Sequence, residues 1–179
     1  EMCTILGIPV PREIERKFLV KQFPLSDIDK HAGRYQDVRI VQTYLQDNDP
    51  LVDERRLRKR SIGNAAVYFE TLKRLVSRGV REETERLLTK EQYFELVHFA
   101  DPKYNTLEKR RCCFIYKGQY FELDRFDEWG LLKGDWLLEI ELTELSDTID
   151  LPPWIPVIRE VTGEQAFSNR ELARKWRAS

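Results

Sequence analysis

The sequence predicts a mainly β fold: an eight-stranded antiparallel sheet closed into a barrel, with a few flanking helices. Three observations predict it. Alternation with a period of two residues dominates the chain, as half-buried strands require. Eight such runs are separated by short turn-like segments, while helical periodicity is confined to brief stretches. A sheet of that many strands removes its exposed edges most simply by closing on itself. The 179 residues suffice for a single domain with a sizeable core, and no shift in composition calls for a second.

The strands fall at about 13–20, 38–46, 53–60, 66–74, 81–86, 106–116, 119–127 and 135–143. Lys117-Gly118, between two aromatic-rich runs, predicts a hairpin turn. Thr89-Lys90-Glu91-Gln92 has the spacing of a capping box, and Tyr93, Leu96, Val97 and Ala100 then share one helical face. Ser168-Asn169-Arg170-Glu171 repeats the capping pattern before Leu172 and Trp176. Leu151-Pro152-Pro153-Trp154 is a connector, and a helix is expected from Ile155 to Val161. Of the two histidines, His98 falls in a helical segment and His31 in a loop.

Charged residues make up 34% of the chain, above the roughly 25% of ordinary globular chains. Charge is therefore used beyond plain solvation. Yet 30 Lys and Arg stand against 31 Asp and Glu, which argues against a nucleic-acid binder working through bulk positive field. Cys3, Cys112 and Cys113 offer no disulfide framework, and neighbours on a strand point to opposite faces. A reducing, cytoplasmic setting is the simpler expectation. No apolar run approaches the roughly 20 residues of a membrane span. The chain opens on Glu1, which reads as a piece of a longer protein.

The chemistry emerges when each strand is split into its two faces. Glu13, Glu15 and Lys17 share one face of the first strand, and Ile14, Arg16, Phe18 and Val20 the other. Arg56 and Arg58 align on the third strand, Phe69, Thr71 and Lys73 on the fourth, and Arg81, Glu83 and Glu85 on the fifth. Lys109 and Arg111 follow on the sixth, Glu122 and Asp124 on the seventh, and Glu139 and Glu141 on the eighth. One such row is ordinarily a solvated face. Seven rows facing one lumen would enclose a nearly neutral set of fifteen ionisable groups, costly unless the occupant is itself highly charged. Arginines suit bidentate phosphate contacts, carboxylates suit hard divalent cations, and an eight-stranded barrel holds one small ligand. No Gly-x-x-x-x-Gly-Lys loop is present, and the histidines leave no Ser-His-Asp arrangement.

These rows resemble the CYTH domains, or triphosphate tunnel metalloenzymes. The motifs occur in family order: Glu13-Ile14-Glu15-Arg16-Lys17, Arg56-Leu57-Arg58, Thr71-Leu72-Lys73, Arg81-Glu82-Glu83-Thr84-Glu85, Lys109-Arg110-Arg111, Glu122-Leu123-Asp124 and Glu139-Ile140-Glu141. Glu160-Val161-Thr162-Gly163 with Ser168-Asn169 is similar to the family's C-terminal region, so the likeness runs from about residue 11 to 176. The resemblance implies an eight-stranded tunnel with its charges inside, and one or two Mg²⁺ or Mn²⁺ ions held by Glu13, Glu15, Glu139 and Glu141. It implies a triphosphate bound by Lys17, Arg56, Arg58, Lys73, Arg81, Lys109 and Arg111. Glu13, Glu15, Lys17, Glu85 and Asp124 are expected to carry catalysis, with Glu83 and Glu122 in support. The expected activity is metal-dependent hydrolysis of inorganic, nucleoside or thiamine triphosphate. The alternatives are a regulatory module binding a nucleotide or phosphoinositide without turnover, and adenylate cyclase chemistry. Fusion to a P-loop nucleotide-binding domain is a further expectation that the family carries.

Overall fold

The computed structural model describes residues 14–77, 80–126, 134–142 and 146–175. Nine strands form one antiparallel sheet: β1 (Ile14–Val20), β2 (Gln36–Tyr44), β3 (Val52–Ile62), β4 (Ala65–Ser77), β5 (Val80–Leu88), β6 (Leu107–Tyr116), β7 (Gln119–Arg125), β8 (Trp136–Leu142) and β9 (Val157–Glu160). Three helices accompany them: α1 (Ser26–Ala32), α2 (Lys90–Val97) and α3 (Asn169–Ala173). The strand order is β5-β4-β3-β2-β6-β7-β8-β1-β9.

Turn chemistry set several of these boundaries. Lys117 and Gly118 both take positive φ, 49° and 76°, which is the two-residue hairpin that matches strand twist, and it pairs Tyr116 with Gln119. The Thr89 hydroxyl accepts the Gln92 backbone N–H while the Gln92 side chain accepts the Thr89 N–H, closing the expected capping box at α2. Ser168 caps α3 by accepting the Glu171 N–H at 3.2 Å.

Three expectations are corrected. The barrel is not closed: among the described residues β5 and β9 end the hydrogen-bonded order and do not pair. The reason is that over Phe18–Val20 the outer edge of β1, which closure onto β5 would use, is taken by β9. The segment expected as a helix over Ile155–Val161 contains this strand. Phe18 pairs with Glu160 and Val20 with Val157, and Arg16 forks onto Glu160 with hydrogen bonds of 2.9 and 2.7 Å. An edge strand needing partners outweighed a short apolar run with helical spacing. His31 lies within α1, not in a loop, and stacks on Trp154 at 5.6 Å. That helix escaped the sequence pattern because seven residues with Ile28 as the one buried side chain make no periodic stripe.

The sheet sorts its two faces strictly. On the convex side, α1 and the connector before β9 cover a cluster including Phe18, Val20, Ile28, Phe114, Phe121, Leu138 and Ile155, joined by Trp136 and Trp154. Helix α2 covers Leu45, Leu57, Tyr68 and Leu88 through Tyr93. Cys112 and Cys113 are free thiols, both buried. On the concave side, one end is packed by Tyr44, Leu107, Phe126 and Leu137 against Leu172 and Ala173 of α3. Beyond it the concave face carries the charged rows, beside a small apolar cluster of Val38, Ile40 and Cys113.

Candidate active site

Strand alternation directs the charged rows into one cavity of about 400 Å³. It is lined by Glu15 and Lys17 from β1, Arg56 and Arg58 from β3, and Lys73 from β4. Glu83 and Glu85 of β5, Arg111 of β6, Glu122 of β7, and Glu139 and Glu141 of β8 complete the expected set. Tyr44, Glu54, Arg60, Tyr120, Ser168, Asn169 and Arg170 line it too. Seven carboxylates thus face seven cations, as the sequence pattern anticipates for a shared lumen. Glu13 lies outside the described residues, and of Arg81 the structure describes only its backbone pairing with Leu75. Lys109 and Asp124 do not line the cavity. They lie on the same inner face, 1% and 0% exposed in their side chains, where Asp124 pairs with Lys109 and Arg111 and Lys109 reaches Asn169 of α3.

Register explains how the carboxylates meet the cations. β1 and β8 place Glu15 opposite Glu141 and Lys17 opposite Glu139. The Lys17 ammonium sits 2.8 Å from Glu139 and 3.4 Å from Glu15. Burial opposes its charge, but those two carboxylates hold its pKa above the ordinary lysine value. Arg111 binds Asp124 through two hydrogen bonds of 2.6 and 2.7 Å, reaches Glu139 at 2.7 Å and also donates to Glu122. Asp124 accepts from Lys109 as well, whose other hydrogen bond goes to the Asn169 side-chain oxygen at 3.2 Å. Although burial works against ionisation, Arg111 and Lys109 hold the Asp124 carboxyl far below the usual range. Lys109 goes the other way: burial, then the charge of Arg111, push its ammonium down to about 8.

The opposite wall is built differently. Arg56 is anchored by Glu54 at 2.8 Å and Glu83 at 3.5 Å, Lys73 pairs with Glu83 at 2.8 Å, and Thr71 donates to Glu85 at 3.0 Å. Arg58 makes no hydrogen bond or ion pair among the described residues, and its Nε is buried without a partner. Burial, followed by the charges of Arg56 and Arg111, pushes its guanidinium down to about 10. Beside it the Gln42 amide donates to the Tyr44 hydroxyl at 2.6 Å. A buried arginine flanked by further cations is an environment that an anion would relieve.

Whether the site suits a divalent cation depends on Glu15 and Glu141. They face each other across the β1–β8 ladder, both exposed to the cavity, and Glu141 makes no ion pair among the described residues. Two hard carboxylates fit a small cation that keeps several waters and takes its other ligands from phosphates. Glu139 lies one pair further along but is engaged by Lys17 and Arg111. No group of three or more His, Cys, Asp or Glu is gathered in metal-binding geometry among the described residues.

Tyr44, Glu54, Tyr120 and Arg170 were not singled out from the sequence. Glu54 carried a usable signal, being two residues before Arg56 on the same face. Arg170 did not: it reaches the cavity from α3, where it donates to the Asp53 carbonyl and the Tyr104 hydroxyl, both at 2.9 Å. Trp129 and Trp176 lie outside the described residues. No described helix is long and apolar enough to cross a membrane.

A curled antiparallel sheet around a lumen of opposed carboxylates and arginines defines the class of protein. Solved structures place the chain more closely. The inorganic triphosphatase NE1496 is 30% identical over 93% of this chain and 97% of its own, with a TM-score of 0.61. A second structure of NE1496 gives 32% identity over 90% and 97%, with a TM-score of 0.60. PH1819 from Pyrococcus horikoshii OT3, at 19% identity over 74% and 80% and a TM-score of 0.51, shares the fold. No protein-family model and no curated protein sequence matches. The chain belongs to the CYTH, or triphosphate tunnel metalloenzyme, superfamily.

Proposed function

We propose that the chain hydrolyses a phosphoanhydride bond of a triphosphate bound in this cavity, with a divalent cation as cofactor. The observation that carries the reading is Arg58, a buried cation with no partner of its own, set in a cavity where Arg56, Lys73 and Arg60 stand on the same wall. Charge of that kind is stabilised by a polyanion and by little else in the molecule. The 30% identity to an inorganic triphosphatase over nearly the whole chain supports the choice of reaction.

In this reading Arg56 and Arg58 grip successive phosphates, and Lys73, steadied by Glu83, approaches from the neighbouring strand. The three are fixed on strands, so the phosphate chain is oriented before reaction and the developing charge meets donors already in place. Glu15 and Glu141 would hold Mg²⁺ or Mn²⁺, with Glu139 adjacent, and Glu13 adds a further candidate ligand. Such a cation, when bound, neutralises phosphate charge and acidifies a coordinated water. Lys17 sets the positions of Glu15 and Glu139. Arg111, with Lys109 and Asp124 beside it, holds Glu122 and Glu139 toward the lumen. Glu85, oriented by Thr71, is placed to accept a proton from an attacking water on the β5 side. Arg81 is assigned to the phosphate grip by motif position.

The test is phosphate release from tripolyphosphate, ATP, GTP and thiamine triphosphate, each with Mg²⁺ and with Mn²⁺. Turnover is expected on at least one, and Glu141→Gln should lower kcat by about a hundredfold or more while tripolyphosphate binding persists. Saturable binding with no turnover on the whole panel would overturn the hydrolase reading in favour of a binding module. Cyclic AMP with pyrophosphate from ATP would redirect it to cyclase chemistry.

A further inference from the structure

The concave face changes character along its length, and it does so in the same direction on five strands. At the end closed by α3, the inner residues Leu107, Leu137 and Tyr44 pack on Leu172 and Ala173, and Arg170 ties the helix to the start of β3. That end is sealed. The middle is the charged zone. At the other end, where the β3–β4 and β6–β7 hairpins turn, the inner positions become Ile62, Val67, Leu87, Ile115 and Tyr120, each 47 to 68% exposed. Single exposed apolar side chains are ordinary. Five at the same end of the same face of one sheet, with Tyr120 among them lining the cavity, form an apolar rim, and exposed apolar patches of that kind mark binding sites.

A wholly charged ligand gains nothing from such a rim, because apolar surface beside an anion raises its desolvation cost. A ligand with a charged end and an apolar end gains from both zones. With the α3 end filled by packed apolar side chains, the apolar end of a triphosphate held at Arg56 and Arg58 finds exposed apolar surface at the rim. Arg60 follows Arg58 by two residues, about 7 Å along β3, and Ile62 lies a further two on. Arg60 makes no ion pair among the described residues, so it is available to the phosphate nearest the ester. Tyr120 is the aromatic member of the rim. It lines the cavity, and its ring stacks on no other ring among the described residues.

We infer that the cavity takes an organic triphosphate ester in preference to inorganic tripolyphosphate, with the ester's flat aromatic group resting against Tyr120 at the apolar mouth. Tyr120 is thus a specificity-determining residue. This rests on the triphosphate reading of the same cavity, and it divides the substrates that the reading leaves together.

The experiment compares kcat/KM for ATP, thiamine triphosphate and tripolyphosphate on the full chain, Tyr120→Ala and Tyr120→Phe. In the unmodified chain one of the esters should exceed tripolyphosphate by about tenfold or more. Tyr120→Ala should cut that ratio about tenfold, through KM and not kcat, as expected for the loss of one stacking contact, and Tyr120→Phe should keep it. A preference for tripolyphosphate, or a ratio unmoved in Tyr120→Ala, overturns the inference. If none of the three turns over, the same variants are read by equilibrium binding of the three anions. An ester that binds more tightly than tripolyphosphate and is weakened in Tyr120→Ala sustains the inference although the hydrolase reading falls. Equal or tighter binding of tripolyphosphate overturns it.

Discussion

The cavity has two walls that use the same residue types to opposite ends. On the β6–β8 side, Arg111 is shared among Asp124, Glu122 and Glu139, Lys109 also leans on Asp124, and Lys17 closes the set through Glu139. Each charge of that set is answered by a neighbour. On β3, Arg58 and Arg60 form no hydrogen bond or ion pair among the described residues, and for Arg58 burial and neighbouring cations outweigh the attraction of Glu85. A self-neutralised network orients side chains and gains little from a ligand, whereas an unanswered buried cation gains a great deal. The difference separates residues that build the site from residues that grip what enters it, although all of them line or adjoin one lumen.

Breaking the neutral network should give the largest effect. Asp124→Asn removes the carboxylate that Lys109 and Arg111 share and leaves two buried cations facing each other. The expected loss is about 3–5 kcal/mol of unfolding free energy, read from urea midpoints. The opposite sign is expected on the other wall. Arg58→Met removes an unpaired buried charge and should leave the ligand-free protein as stable or more stable by about 1 kcal/mol. The same variant should weaken tripolyphosphate binding by about tenfold or more, since a charge-assisted hydrogen bond is lost. In thermal scans saturating tripolyphosphate should stabilise the unmodified chain by about 2.7 kcal/mol at a hundredfold excess over Kd, and Arg58→Met should shrink that gain. A destabilised Arg58→Met would erase the distinction between the walls.

A smaller effect comes from pH. Lys109 loses its proton near pH 8 in the folded chain but only near the ordinary lysine value of about 10.5 when unfolded. Between those values the unfolded chain binds more protons, so this residue's contribution to stability should rise as pH rises, from about 8 toward 10.5. Below pH 8 its buried charge weighs against folding in full. Urea midpoints across pH 7.5 to 10 should show this rise in the unmodified chain and lose it in Lys109→Met. The smallest effect belongs to the solvent-facing Arg16–Glu160 fork. Arg16→Ala should cost below about 1 kcal/mol, because an exposed ion pair is screened.

Much of this was legible in the sequence. The spacing of Glu15 to Lys17, Arg56 to Arg58 and Glu139 to Glu141 fixes which side chains share a face, because a strand has a period of two wherever it lies. Both capping signals located their helices for a similarly local reason. What escaped depended on contacts distant in sequence. The strand over Val157–Glu160 exists because β1 offers it an edge, and nothing within those residues announces this. Arg170 reaches the lumen because α3 packs on Leu107 and Leu137. Glu54 was legible but passed over, and Tyr120 was masked by its position in an aromatic-rich run.

The sequence by itself determined the strands, their two faces and the balance of charge between them, since alternation and composition are local properties. Only the tertiary structure decided that β9 occupies the edge a closed barrel would need, so that the sheet curls without pairing its ends. It alone decided which charges are spent on each other and which are not. That division follows from distance: Arg111 forms ion pairs with three carboxylates and Arg58 forms none among the described residues, although each is one of a basic pair spaced two apart on a strand.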